Sequence, residues 1–181
     1  MSSDPEDPTD AWASAAGDAW SLTARISPRR VVRAAAVDAD GHPLNAYPLV
    51  HPVAAARPWT PWAVHLAEAE GRYRLLCADL DAKISAEAAA ADAARLSGLL
   101  SELGIRHLVC ASGPTGGRHV WLGLCESVDA EVVRALAYLL KAWLPTLDVA
   151  PLVNPTSGCV RPPGVPHRLG GSSQVIAGSV S

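Results

Sequence analysis

Two aspartates inside an apolar run set the tightest limit on how this chain can fold. The stretch LLCADLDAK, Leu75 to Lys83, places Asp79 and Asp81 two residues apart among leucine, alanine and cysteine. Burying a carboxylate without a partner is strongly unfavourable, so the pair needs a cation or a dense hydrogen-bond network beside it. On a strand, the period of two puts Asp79 and Asp81 on one face and Leu76, Ala78 and Leu80 on the other. Such a face can grip a divalent metal. The ordinary alternative is a solvated strand edge or a salt-bridged pair.

A chain of 181 residues, 49% of them hydrophobic, can bury one good core with a small appended module. No apolar run approaches the ~18 residues of a membrane helix, and the acidic start MSSDPEDPTD is no signal peptide, so a soluble cytoplasmic protein without a membrane partner is expected. Cys77, Cys110, Cys125 and Cys159 lie far apart with no CxxC pair, which favours buried free thiols over zinc or disulfides. The net charge is −3, yet Asp4, Glu6, Asp7 and Asp10 crowd the first ten residues and leave 15 basic against 14 acidic residues in the rest. Any grip on nucleic acid must therefore be local, made by particular arginines and lysines.

Along the chain, residues 1–10 read as a disordered acidic lead-in. Ala11 to about Arg25 suits a short helix carrying Trp12 and Trp20, Arg29 to Val37 a strand, and DADGHP, Asp38 to Pro43, a turn. In the stretch from Asn45 to Pro61, Pro48, Pro52, Pro58 and Pro61 argue against a central element and for an irregular crossing or edge segment. Trp62 to Ala82 reads as a hairpin turning at Glu70-Gly71, although Thr60-Pro61 would also start a helix. Ser85 caps a helix whose Leu96, Leu99, Leu100 and Leu103 share a face, ended by Gly104. Ile105 to Ser112 and Arg118 to Leu124 form a second hairpin. Ser127 caps a second helix, with Val133, Leu136, Ala137, Leu140 and Leu144 on one face and Pro145 at its end. The order strand, helix, strand, strand, helix predicts an α+β, two-layer sandwich of the RNA-recognition-motif type.

Three further features carry chemistry. The glycine-rich turn of SGPTGGRHVWL, Ser112 to Leu122, allows close approach of a phosphate and leads to Arg118 and His119, only one of which faces a given side of a strand. A lone Asp148 follows the second helix; such a residue is usually a cap or turn. In VRPPGVPHRLGG, Arg161, His167 and Arg168 hang on a loop stiffened by proline and glycine, suited to a triphosphate or a nucleic-acid backbone.

The order of these features resembles the archaeo-eukaryotic primase superfamily, in particular its bacterial, plasmid and phage primase-polymerase branch. A DxD strand comes first, then Ser-Gly…Gly-x-His, then a lone Asp, then R-x-P-G-x-P-H-R-x-G-G; the resemblance spans roughly Trp62 to Ile176. It implies a catalytic core over residues 61–181; residues 11–60 carry no matching motif and are expected to form a small N-terminal α/β accessory segment packed on that core. It further implies that Asp79, Asp81 and Asp148 are catalytic carboxylates holding two Mg²⁺ or Mn²⁺ ions. By the same resemblance Ser112, Gly116, Gly117, His119, Arg161, His167 and Arg168 bind nucleotide phosphates, with Arg118 and Lys83 as further contacts. Val165 stands where the branch commonly has a small polar residue.

The implied activity is nucleic-acid synthesis, as a DNA primase or DNA polymerase, by two-metal nucleotidyl transfer from NTP or dNTP on a single-stranded DNA template with or without a primer. The near-neutral body suggests that a helicase or accessory domain outside this chain supplies part of the template surface. Two other classes remain open from the residues alone: an idle nucleotide- or nucleic-acid-binding module of the same fold, and a metal-dependent nuclease or phosphohydrolase.

Overall fold

The computed structural model describes residues 8–178. In chain order the elements are α1 (Pro8–Ile26), β1 (Val31–Ala34), β2 (Leu49–Pro52), β3 (Trp62–His65), β4 (Tyr73–Leu80), α2 (Ala86–Glu102), β5 (Leu108–Ala111), β6 (Arg118–Val128), α3 (Ala130–Trp143), β7 (Leu147–Asp148), α4 (Ala150–Val153), β8 (Cys159–Val160) and β9 (Gln174–Gly178). They form a mixed α+β fold with two antiparallel sheets, ordered β2-β1-β3-β8 and β7-β4-β6-β5-β9. Among the described residues, no helix is long and apolar enough to cross a membrane.

Alternation along β4 sorts its side chains between two cores. Ala78 and Leu80 join Val109, Val120, Ala89, Ala93, Leu96 and Leu100 in the core beneath α2. Cys77 faces the other way and packs with Cys110, Trp121, Trp62, Val64 and Val32. The five-stranded sheet thus carries α2 and α3 on one face and meets the four-stranded sheet and α1 on the other. Because β4 and β5 both pair with β6, α2 makes a split crossover between them, the arrangement expected from the order of elements.

Local chemistry explains the boundaries of α2. Ser85 accepts the Ala88 N–H at 3.0 Å as its N-cap. At the other end Gly104 adopts φ +68° and donates to Ser101, while Ile105 donates to Leu100, a Schellman closure that needs the left-handed residue.

Several expectations are corrected. Ser127 does not cap α3: Asp129 is the N-cap, and Ser127 Oγ donates to Glu68 Oε2 at 2.7 Å. The Trp62–Ala82 arms do turn over Glu68–Gly71, with Gly71 at φ +85°, but they do not pair along their length. A bridge between Ala67 and Tyr73 is followed by divergence, because β3 pairs with β1 and β8 while β4 pairs with β6 and β7. The proline-rich stretch does contribute an edge strand, β2. Leu99 and Leu103 are exposed, and among the cysteines Cys125 is exposed and Cys159 half-buried, unlike buried Cys77 and Cys110. Of the acidic lead-in, residues 1–7 lie outside the described residues, and α1 begins at Pro8.

Candidate active site

The pairing register of β4 brings three of the expected residues into one row. Asp79 stands opposite Asp148 of β7 on one side and opposite His119 of β6 on the other. Directly opposed residues of antiparallel strands project to the same face, so Asp148, Asp79 and His119 share the side that meets the second sheet. His119 Nε2 lies 3.3 Å from Asp79 Oδ1, and the imidazole is buried with its edge on the Trp121 ring, 6.1 Å between centroids. Its Nδ1 has no partner. Burial pushes the Asp79 carboxyl up, but the hydrogen bond from His119 and the neighbouring His119, Arg161 and Lys83 outweigh it and hold the group below its usual range. Asp79 therefore stays a carboxylate at neutral pH.

Asp81 follows the end of β4. Its backbone N–H donates to the Thr146 carbonyl at 2.9 Å, and its carboxylate is paired with the Lys83 ammonium. Asp148 Oδ1 accepts the Ala150 N–H at 2.9 Å, which starts α4.

The basic loop closes over this row from the other sheet. Arg161, just past β8, donates through Nη2 to the Ser112 carbonyl at 2.6 Å, while its buried Nη1 has no partner. Burial lowers its pKa, opposed by Tyr47 and Asp79. His167 is pushed down to about 4, by burial first and then by Arg161, Arg168 and His119. Its Nδ1 accepts the Leu169 N–H at 3.1 Å, so the neutral ring carries its proton on Nε2.

The Ser112–Gly117 turn is pressed between this loop and α2. A Cβ on Gly113 would stand 2.6 Å from the His167 ring, and one on Gly116 2.5 Å from Ala86 Cβ. Glycine is required at both positions by contact as well as by conformation, at φ +152° and +88°.

A cleft of about 440 Å³ joins these groups. It is lined by Asp79, Asp81, Asp148 and His119, by Arg161, Arg168 and neutral His167, and by Ser112 and Thr115. Four of the expected site residues do not line it. Gly116 and Gly117 shape the turn from behind. Arg118 is on the opposite sheet face from His119 and donates to the Gly116 and Gly117 carbonyls at 2.8 and 3.0 Å. Lys83 lines an adjoining cavity of about 350 Å³ that shares Asp81 and Asp148.

The cleft also holds residues that sequence reasoning missed. Asn45 and Tyr47 reach it from the proline-rich stretch, and Asn154 and Ser157 from the turn before β8. Burial raises the Tyr47 pKa, opposed by Arg161 and Arg168. The available signal was a lone tyrosine in a segment with too many prolines to be an ordinary element.

The chain superposes on the polymerase domain of Mycobacterium tuberculosis Ligase D in complex with DNA. The TM-score is 0.58 at 19% sequence identity, over 86% of this chain and 75% of that chain. The two share a fold. No protein-family model and no curated protein matches the sequence. Likeness to the Ligase D polymerase domain agrees with the α+β core expected from the motifs, and the chemistry of the cleft rests on its own residues.

Those residues suit a hard cation: the donors are carboxylate oxygens, and Asp79 stays ionised. Among the described residues, the three ligand-type side chains whose donor atoms all come within 4.8 Å are instead Asp38, Asp40 and His42, exposed in the turn after β1. Asp38 is engaged there with the Asp40 and His42 N–H groups, and the set does not line the cleft.

Proposed function

We propose that this chain is a metal-dependent nucleotidyltransferase of the primase-polymerase kind, extending or starting a strand on a single-stranded DNA template from NTP or dNTP. The observation that carries this reading is the row Asp148–Asp79–His119 opening on one cleft with Arg161, His167 and Arg168. Asp79, Asp81 and Asp148 would hold Mg²⁺ or Mn²⁺. Bound there, two such ions supply activation of a 3′-hydroxyl and neutralisation of charge at the α-phosphate as pyrophosphate leaves.

The protein's own part is positioning and charge. Arg161 and Arg168 line the same cleft as the carboxylates and would bind the β- and γ-phosphates through charge-assisted hydrogen bonds. Neutral His167 donates a hydrogen bond through Nε2 and adds no charge. His119 fixes the orientation of the Asp79 carboxylate and supports the nucleotide side of the row. Thr115 and Ser112 offer hydroxyls at the turn. A helicase or accessory domain outside this chain would complete the template surface.

A second reading has one observation in its favour. The three cleft carboxylates do not draw together as closely as Asp38, Asp40 and His42 do, as an idle nucleotide-binding module would have it. One experiment separates them: nucleotide incorporation on a single-stranded template with Mn²⁺ or Mg²⁺, with and without primer, comparing wild type with Asp79→Asn and Asp148→Asn. Template-dependent products that fall by about a hundredfold or more in both variants are expected. Nucleotide binding without product would overturn the polymerase reading for the idle module, and nucleotide breakdown without product would turn it to hydrolysis.

A further inference from the structure

Asp92 is a carboxylate on the buried side of an alanine-rich helix, α2, 6% exposed. Its Oδ2 accepts two hydrogen bonds from a single residue, the Thr146 N–H at 3.0 Å and the Thr146 hydroxyl at 2.7 Å. Thr146 is itself buried, and its carbonyl accepts the Asp81 N–H. Alanine would have filled this helix position without the cost of desolvating a charge. Arg95, one turn on in α2, offsets part of that cost, and both hydrogen bonds come from the segment that joins α3 to β7.

That segment is held at several successive points. Arg95 stands 3.7 Å from Asp92 Oδ1 and donates to the Trp143 carbonyl at 3.2 Å. Lys141 donates to the carbonyls of Pro145 and Leu147 at 2.9 and 2.7 Å. Asp148 is the next residue. Thr146 therefore sits between the backbone of Asp81, which it binds, and Asp148, two residues on. β7 pairs with β4, Leu147 opposite Leu80 and Asp148 opposite Asp79, and the Thr146 carbonyl extends that pairing to Asp81.

We propose that Asp92, acting through Thr146, is a positioning residue that sets the separation of Asp81 and Asp148 and thereby the divalent-cation affinity of the cleft. This rests on the reading that those carboxylates hold cations. The Thr146 hydroxyl and N–H are both consumed by Asp92, so its carbonyl is presented to Asp81 in one orientation. Lys83 is paired with Asp81 and lines one cavity with Asp81 and Asp148, so the backbone anchor at Thr146 is what holds Asp81 relative to Asp148. Outer partners of metal-holding side chains commonly change affinity by about 10–100-fold when removed.

The test uses Mn²⁺ as probe in titration calorimetry, with residue-resolved amide exchange alongside, on the whole chain. Thr146→Val keeps the backbone N–H and loses the hydroxyl; Thr146→Ser keeps both; Asp92→Asn removes the charge. Thr146→Val and Asp92→Asn are expected to weaken Mn²⁺ binding about tenfold and to speed exchange of the Asp81 amide, while amides of β5 and β6 stay protected. Thr146→Ser restores wild-type values. Wild-type Mn²⁺ affinity and Asp81 exchange in Thr146→Val would overturn the proposal, as would a loss that Thr146→Ser fails to rescue. If the wild type takes up no Mn²⁺ that Asp79→Asn abolishes, the cation reading itself falls. The Asp81 amide then decides the positioning claim alone, and unchanged exchange in Thr146→Val ends it.

Discussion

One buried and one half-buried histidine give the protein an acid-sensitive stability that is separate from its carboxylates. His65 of β3 is 3% exposed with an unpartnered Nδ1, and burial, then Arg29 and Arg33, push its pKa down to about 4. His167 is pushed to about 4 as well. An unfolded histidine titrates near 6.5, so between about 6.5 and 4 the unfolded chain binds more protons than the folded one. Stability is unaffected above that window and falls as pH drops through it, each histidine adding at most about 1.4 kcal/mol per pH unit. The thermal midpoint followed by circular dichroism should fall between pH 7.5 and 5, and His65→Gln should flatten the curve. A His65→Gln curve as steep as that of the wild type would refute this.

At the same scale, alternation in the sequence allowed only one of Arg118 and His119 to share a face with Asp79, and the pairing of β6 with β4 gives that place to His119. Asp92 was not legible: in a run of alanines, one aspartate shows no periodic partner to mark it as facing inward. Tyr47 was hidden for another reason. Its place depends on where an irregular segment lands, which no local pattern encodes.

Among the elements, the glycine-rich turn is the piece most sensitive to a single added carbon. Gly116→Ala would combine a left-handed residue with a Cβ 2.5 Å from Ala86 Cβ and 3.4 Å from its Cα, in a stretch anchored at the first turn of α2. Its expected cost is about 2 kcal/mol. Gly98 is the internal control. It lies inside α2 with open space around its Cα, so Gly98→Ala should stabilise by about 0.5–1 kcal/mol. Urea melts of both variants check the pair, and equal midpoints would contradict the packing argument. The sequence of β4, α2, β5, β6 and α3 was readable because the Ser85 cap, leucine spacing and strand alternation agreed with one another. The second sheet was not readable. Its strands β1, β2, β3 and β8 run only two to four residues, one of them edged with prolines, too short for a period of two to show. Ser127 failed as a cap because β6 runs on through Val128 and α3 starts after Asp129, and Glu68, distant in sequence, takes the Ser127 hydroxyl.

At the scale of the whole molecule, the first sixty residues and the remainder share a core. Ala19 of α1 and Val32 of β1 pack with Trp62, Val64, Cys77 and Trp121. Trp62, fully buried, donates through Nε1 to Thr23 Oγ1 at 2.8 Å and meets the Trp20 ring edge-on at 5.3 Å. Arg29, between α1 and β1, reaches the carbonyls of Ala67, Glu68, Pro155 and Thr156, tying the turn before β4 to the turn that walls the cleft. A chain beginning at Pro61 would uncover the Trp62 and Val64 side of the sheet and leave the Trp62 N–H without its acceptor. Each such side chain contributes about 1.5–3 kcal/mol by burial, and a few of them match the ~5–15 kcal/mol that holds a domain of this size together. The truncated chain is therefore expected to lose cooperative folding, while the whole chain unfolds in urea in one transition seen alike by tryptophan fluorescence and far-ultraviolet circular dichroism. A dispersed amide spectrum from residues 61–181 alone would show that the early segment is an attachment on a self-sufficient core, and that Tyr47 and Asn45 are borrowed by the cleft instead of built into it.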